Sequence, residues 1–189
     1  MLIDSAVPEF ITTNINDTVT PEQQLAQPID RASERVTKKN FGDYITVEQS
    51  PIYPERFEGY HTGTDFEIFP EELNEEMAIY AICTGDLKQK RTVSGYGGVV
   101  VQDCQLNDES VTIIYGHLKL ASVDYEAGEE ITAGDTIGIL GADRSAETGN
   151  ERKHLHLGIH KGDGIEILGY VANQSLLTDW IDPCLYVCD

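Results

Sequence analysis

A chain of 189 residues, 40% hydrophobic and 24% charged, is long enough to bury one core without disulfides or a metal to hold it up, and no run approaches the ~18 apolar residues of a membrane span. With 33 acidic residues against 13 basic and a net charge of −20 at pH 7, its surface repels nucleic acid and anionic membranes, and both are set aside as partners.

In chain order, MLIDSAVPEFITTN offers neither the basic n-region nor the apolar h-region of a signal peptide. Two alternatives stand: a cytoplasmic protein, or an exported one whose leader is absent from this chain. The even count of four cysteines leans towards export. Residues 1–38, rich in Thr, Asn, Gln and Pro, are expected to form an N-terminal arm or linker able to pack on the domain that fills 39–189. Within the arm, DRASERV predicts a short helix from Asp30, with Glu34 near its first turn. From Phe41 the texture is β. AIYAICTG, GGVVVQDC and VTIIYGHL are apolar, β-branched runs of strand length parted by Gly, Asp and Asn turns, and DLKQKRTV alternates as a more exposed strand. No long helical period follows, so an all-β fold, an antiparallel sheet or sandwich, is expected.

Glu67, Glu71, Glu72, Glu75 and Glu76 cluster just after His61-Thr62-Gly63-Thr64-Asp65. A solvated loop is preferred there to a cation-attracting rim. Cys83 and Cys104 lie in or beside strand patterns, either bridging them or staying buried thiols; Cys184 and Cys188, near the C-terminus, either pair or stay free. None forms a CxxC pair. In EAGEEITAGDTIGILG, Gly128, Gly134, Gly138 and Gly141 punctuate short strands. Lipoyl-type carrier domains share that texture, but the exposed lysine triplet they need is missing.

Four of the five histidines fall in three short motifs. In His61-Thr62-Gly63-Thr64-Asp65, a glycine turn lets an imidazole and a carboxylate converge, and both are good zinc ligands. In His154-Leu155-His156, inside HLHLGIH, strand alternation puts His154, His156, Gly158 and His160 on one face and Leu155, Leu157 and Ile159 on the other. His154 and His156 are then offset by about 6.6 Å along the strand, enough for one to hold a metal and the other to reach a substrate. In Tyr115-Gly116-His117-Leu118, a histidine closes an apolar run at a strand-end cleft.

HxGxD, then YGHL, then HLH behind a glycine-rich hairpin resembles, in that order, the lysostaphin/LytM metallopeptidases, the M23 family, over roughly residues 41–186. The resemblance implies that His61, Asp65 and His156 hold one Zn2+ with water in the fourth position, and that His154 and His117 are the catalytic pair, His154 as base and His117 as stabiliser. It implies a monomeric zinc endopeptidase acting on peptidoglycan stems or cross-bridges, and therefore export. The alternatives are a non-catalytic scaffold that binds wall or regulates another hydrolase, and a zinc hydrolase of another substrate, whose β-lactamase form would show an HxHxD spacing absent here. One feature departs from the family: Asn150, Glu151, Arg152 and Lys153 stand between Thr148-Gly149 and the HLH, where a single residue is usual. That longer loop, Ala142 to Lys153, is expected to overhang the cleft and shape substrate choice. A tyrosine often assists the oxyanion in such enzymes, and Tyr53 and Tyr60 are the candidates near the first motif. His160 is expected behind the site or exposed, not as a ligand.

Overall fold

The computed structural model describes residues 25–188. Its centre is an antiparallel meander of three long strands, Gly85–Val93, Gly97–Leu106 and Glu109–Leu118, inside a seven-stranded sheet. His154–Lys161 pairs with Glu109–Leu118 along one edge. Along its other edge it pairs with Gly63–Glu67 and then with Trp180–Ile181. Two small sheets flank this one. Tyr44–Ile45, Gly59–His61 and Tyr170–Val171 form the first; Ala78–Tyr80 and Thr136–Ile139 form the second. The expected all-β antiparallel class is what forms, with two four-residue helices and short 3-10 turns as the helical content of the described residues.

The sheet is buried on both faces. Leu155, Leu157 and Ile159 point into the main apolar cluster with Phe66, Val100, Ile113 and Tyr115. The opposite face carries the histidines beside a smaller cluster of Tyr96, Val99, Val101, Ile114 and Trp180. Each strand residue therefore contributes either to the core or to the site according to parity, as the two-residue period requires. The core also holds a polar knot. The Tyr115 hydroxyl accepts from the Ile82 N–H (2.9 Å) and donates to Gln102 Oε1 (3.0 Å), while Gln102 Nε2 donates to the Cys83 carbonyl (2.9 Å).

Of the expected arm, residues 1–24 lie outside the described residues. The remainder is woven into the domain: Leu25, Ile29 and Ala32 are buried members of the main cluster. The helix is shorter than DRASERV suggests, Ala32–Arg35. Arg35 is buried and makes a two-pronged ion pair with Glu72 (2.6 and 2.8 Å). Glu71, Glu75 and Glu76 are exposed, as a solvated loop requires, whereas Glu67 is buried. Cys83 pairs with Cys104, Cα atoms 6.2 Å apart, and Cys184 with Cys188, 4.7 Å apart.

Tyr115→Phe removes one hydroxyl and leaves the Ile82 N–H and Gln102 Oε1 buried without it. The expected cost is about 1–3 kcal/mol of folding stability. Urea unfolding measures it, and an unchanged midpoint would show that both groups find other partners.

Candidate metal centre

Antiparallel register assembles the site. Pairing of Gly63–Glu67 with His154–Lys161 sets His156 opposite Asp65, His154 opposite Glu67 and Gly158 opposite Gly63. These residues share one face. Gly63 is required there: a Cβ would stand 2.7 Å from His156 Nε2. His61 arrives from the neighbouring small sheet, where it pairs with Tyr170.

The donor atoms form a tight triangle. His61 Nε2 and His156 Nδ1 are 3.1 Å apart, and Asp65 Oδ1 lies 3.3 Å from the former and 3.1 Å from the latter. Ligands on a tetrahedral zinc with bonds of about 2.0–2.1 Å stand about 3.3–3.4 Å apart, so the triangle fits one such ion with a fourth corner left over. Three lone-pair donors facing one another at this range repel unless a proton or cation lies between them. The described residues thus bring together His61, Asp65 and His156 as a group able to hold a metal ion.

Backbone carbonyls select the histidine tautomers. Nδ1–H of His61 donates to the Asn40 carbonyl (3.1 Å), that of His117 to Thr148 (3.0 Å) and that of His154 to Arg152 (2.8 Å). Each ring therefore turns a bare Nε2 to the site. His156 is the reverse: its Nε2–H donates to the Tyr96 oxygen (3.0 Å), which frees Nδ1 for the triangle. Burial pushes His156 down to about 4 and holds His117 well below the usual range for histidine, helped there by the charge of His154. Neutral imidazole is the form that binds metal. Burial alone would raise the carboxyl of Asp65, but His154 and His61 whenever protonated, and Arg152 throughout, hold it well below the usual carboxylate range.

His117 reaches the site by a backbone irregularity. Gly98 faces Leu118 and Val99 faces Gly116, so His117 is the extra residue of a β-bulge. Strict alternation would turn it to the core with Tyr115 and send Leu118 to the opposite face. The bulge, with φ 68° at His117, swings its ring to the histidine face, 4.2 Å from the ring of His154. A non-glycine residue in the left-handed region costs roughly 1–3 kcal/mol and persists where surroundings enforce it.

Around these groups lies a cleft lined by Lys39, Phe57, Gly95, Tyr96, Ile167, Leu168, Gly169 and Tyr170. Its tyrosines are Tyr96 and Tyr170, which sequence proximity did not suggest. Tyr53 is 91% exposed and Tyr60 packs on Tyr44 (4.8 Å), so neither expected tyrosine lines it. Tyr96 has a weak signal, an aromatic ring between glycines at a strand start; Tyr170 has none. His160 packs on Trp180 (4.9 Å) outside this cleft, as expected. Glu151 and Arg152 of the long loop also line this cleft, and the end of that loop is tied down. Its last residues are buried struts: Glu151 takes Arg56, Arg152 takes Asp65 and Glu67, and Lys153 donates to the carbonyls of Glu72, Leu73 and Glu75.

The family model described as Peptidase family M23 matches residues 59–167. Endolysin 2638A of Staphylococcus phage 2638A is 29% identical over 126 residues, 66% of this chain and 24% of that protein. The chain thus spans about a quarter of that relative. A solved structure of LytU superimposes with TM-score 0.52 at 26% identity, covering 79% of this chain and 81% of that one. The catalytic domain of the antimicrobial peptidase lysostaphin from Staphylococcus simulans gives TM-score 0.54 at 19% identity, covering 84% and 97%, a likeness of fold.

Tyr96→Phe removes the acceptor that fixes the His156 ring. Loss of such an outer partner should weaken Zn2+ binding roughly 10- to 100-fold, read by chelator competition. Unaltered binding would show that the hydroxyl has no hold on the ring.

Proposed function

This chain belongs to peptidase family M23, and from that premise we propose that it is a zinc-dependent endopeptidase that hydrolyses peptide bonds of peptidoglycan stems or cross-bridges. The observation that carries the reading is the triangle of His61, Asp65 and His156 with two further histidines, each turned Nε2-first, beside it. A degenerate scaffold would have lost one of these five side chains, and none is lost.

In this reading His61 Nε2, Asp65 Oδ1 and His156 Nδ1 hold the zinc. Zinc, when bound, supplies a Lewis acid that polarises the scissile carbonyl and lowers the pKa of a coordinated water towards ~7. The work of the chain is proton handling and placement. His154 is the base: a proton taken on its Nε2 would face Asp65 Oδ2 at 3.3 Å, where a carboxylate steadies the imidazolium. His117 has no such carboxylate within hydrogen-bond reach among the described residues; its hydrogen bond is to the Thr148 carbonyl. Buried, it holds a proton weakly and passes one readily, which suits protonation of the leaving amine or contact with the developing oxyanion. The Arg152 and Thr148 carbonyls keep both rings aimed without reaching the substrate themselves.

The substrate reading rests on the endolysin relative and on the lysostaphin likeness. A wall substrate places the protein outside the membrane, so export belongs to the same proposal. No helix among the described residues is long and apolar enough to cross a membrane. One chain supplies the whole catalytic set, so a monomer suffices.

Purified protein should carry about one zinc per chain and release new peptide termini from peptidoglycan, seen by mass spectrometry. His61→Ala should lose the zinc. His154→Ala and His117→Ala should keep it and lose turnover by about 10²- to 10⁴-fold, the usual worth of a positioned acid or base. Zinc lost from His154→Ala would reassign the ligands, and wild-type turnover in either variant would remove that histidine from the chemistry.

A further inference from the structure

Residues 152, 154 and 156 share parity, so Arg152 leads onto the histidine face from the end of the long loop. It is 8% exposed. Its Nε donates to both oxygens of Glu67 (2.9 and 3.0 Å), and its Nη2 donates to Glu67 Oε1 (2.5 Å) and Asp65 Oδ2 (2.8 Å). One guanidinium thus grips two buried carboxylates that occupy successive same-face positions on Gly63–Glu67. The Asp65 carboxylate is divided by this grip. Oδ2 accepts from Arg152 at 2.8 Å and faces His154 Nε2 at 3.3 Å, while Oδ1 is the oxygen in the triangle with His61 and His156.

We propose that Arg152 is a positioning residue for the metal site: by occupying Asp65 Oδ2 it makes the carboxylate meet the metal through Oδ1 alone, which keeps the fourth coordination position free for water. The inference deepens the zinc reading and rests on it. A flexible carboxylate can close on an ion with both oxygens, and a closed site has no place for a reacting water. Arginine suits the task because its planar fork presents donors at fixed angles and stays charged. Glu67 explains how a cation is tolerated beside a metal. Its carboxylate offsets the guanidinium charge and leaves the geometry in place.

Two effects of Arg152 oppose each other, and their signs are measurable. As a bare charge it repels a divalent cation, so its removal should tighten binding. As a clamp it orders a ligand, so its removal should weaken binding by roughly 10- to 100-fold, the usual cost of an outer partner. The distances favour the clamp, since the guanidinium charge is already paired with Glu67.

The test uses the full zinc-loaded chain, with zinc affinity read by chelator competition and ligand geometry read from the visible spectrum of the cobalt-substituted protein. The double variant Arg152→Met with Glu67→Met removes the arginine together with its second carboxylate, so Glu67 is not left buried without it, and Asp65 keeps the metal as its cation in the zinc-loaded chain. The result expected is a 10- to 100-fold weaker zinc affinity and an altered cobalt spectrum. Arg152→Lys keeps charge but loses the fork, and should show a smaller loss with a changed spectrum. Zinc bound as tightly as in wild type, or more tightly, with an unchanged cobalt spectrum would overturn the clamp. Should the double variant fail to fold, judged by thermal unfolding, Arg152→Lys decides by the same two readouts. Failure of the wild-type chain to bind zinc would instead overturn the peptidase reading beneath.

Discussion

Asp65 keeps a negative charge where water scarcely reaches it, 2% exposed, and the site is organised around that fact. An ionised carboxylate taken out of water is costly unless paired and hydrogen-bonded. Its partners come from separate parts of the chain: Arg152 from the loop, His154 and His156 from the strand opposite, His61 from the small sheet beside it. Each partner is in turn fixed from behind. Carbonyls of Asn40 and Arg152 hold His61 and His154, and the Tyr96 hydroxyl holds His156. The result is a carboxylate oxygen and two imidazole nitrogens converging on one point, which is what a divalent cation requires and what an apolar core would never assemble.

The sheet supplies the frame for that convergence. Because Leu155, Leu157 and Ile159 are locked in the core, His154 and His156 have no freedom to slip register: a one-residue shift would drive the imidazoles into the apolar core and turn the leucines to the site. Antiparallel pairing with Gly63–Glu67 then sets the carboxylate opposite the second histidine. At His117 the regular period fails, and the bulge lets an imidazole reach the site face while Leu118 stays in the core. The strain of that bulge is spent on bringing a fifth polar group into the cleft.

Which parts of this were legible in the sequence follows from the range of the interactions involved. The β texture and the histidine face are local, period-two patterns, and HxGxD is a local turn, so His61, Asp65, His154 and His156 could be picked out by spacing. His117 could not be placed by periodicity, since alternation alone points it at the core; its company with the other motifs drew attention to it. Tyr60 precedes His61 on a strand and so faces away from it, which is why nearness in sequence misled there. Arg152 and Glu67 lie 85 residues apart, and their charges look like an ordinary solvated loop until the strands pair. The polar composition of residues 1–38 likewise hid Leu25, Ile29 and Ala32, three apolar residues without a period that nonetheless close one side of the core.

Family membership accounts for the fold, while the struts of the long loop are read from contacts. The central claim is that His61, Asp65 and His156, and no fourth side chain, hold a zinc ion. Anomalous scattering at the zinc edge from crystals of the zinc-loaded protein tests it most directly. The account predicts one peak per chain, bonded at about 2.0–2.2 Å to His61 Nε2, Asp65 Oδ1 and His156 Nδ1, with a solvent oxygen in the fourth position. A peak elsewhere, or one closed by His154 as a fourth protein ligand, would contradict it.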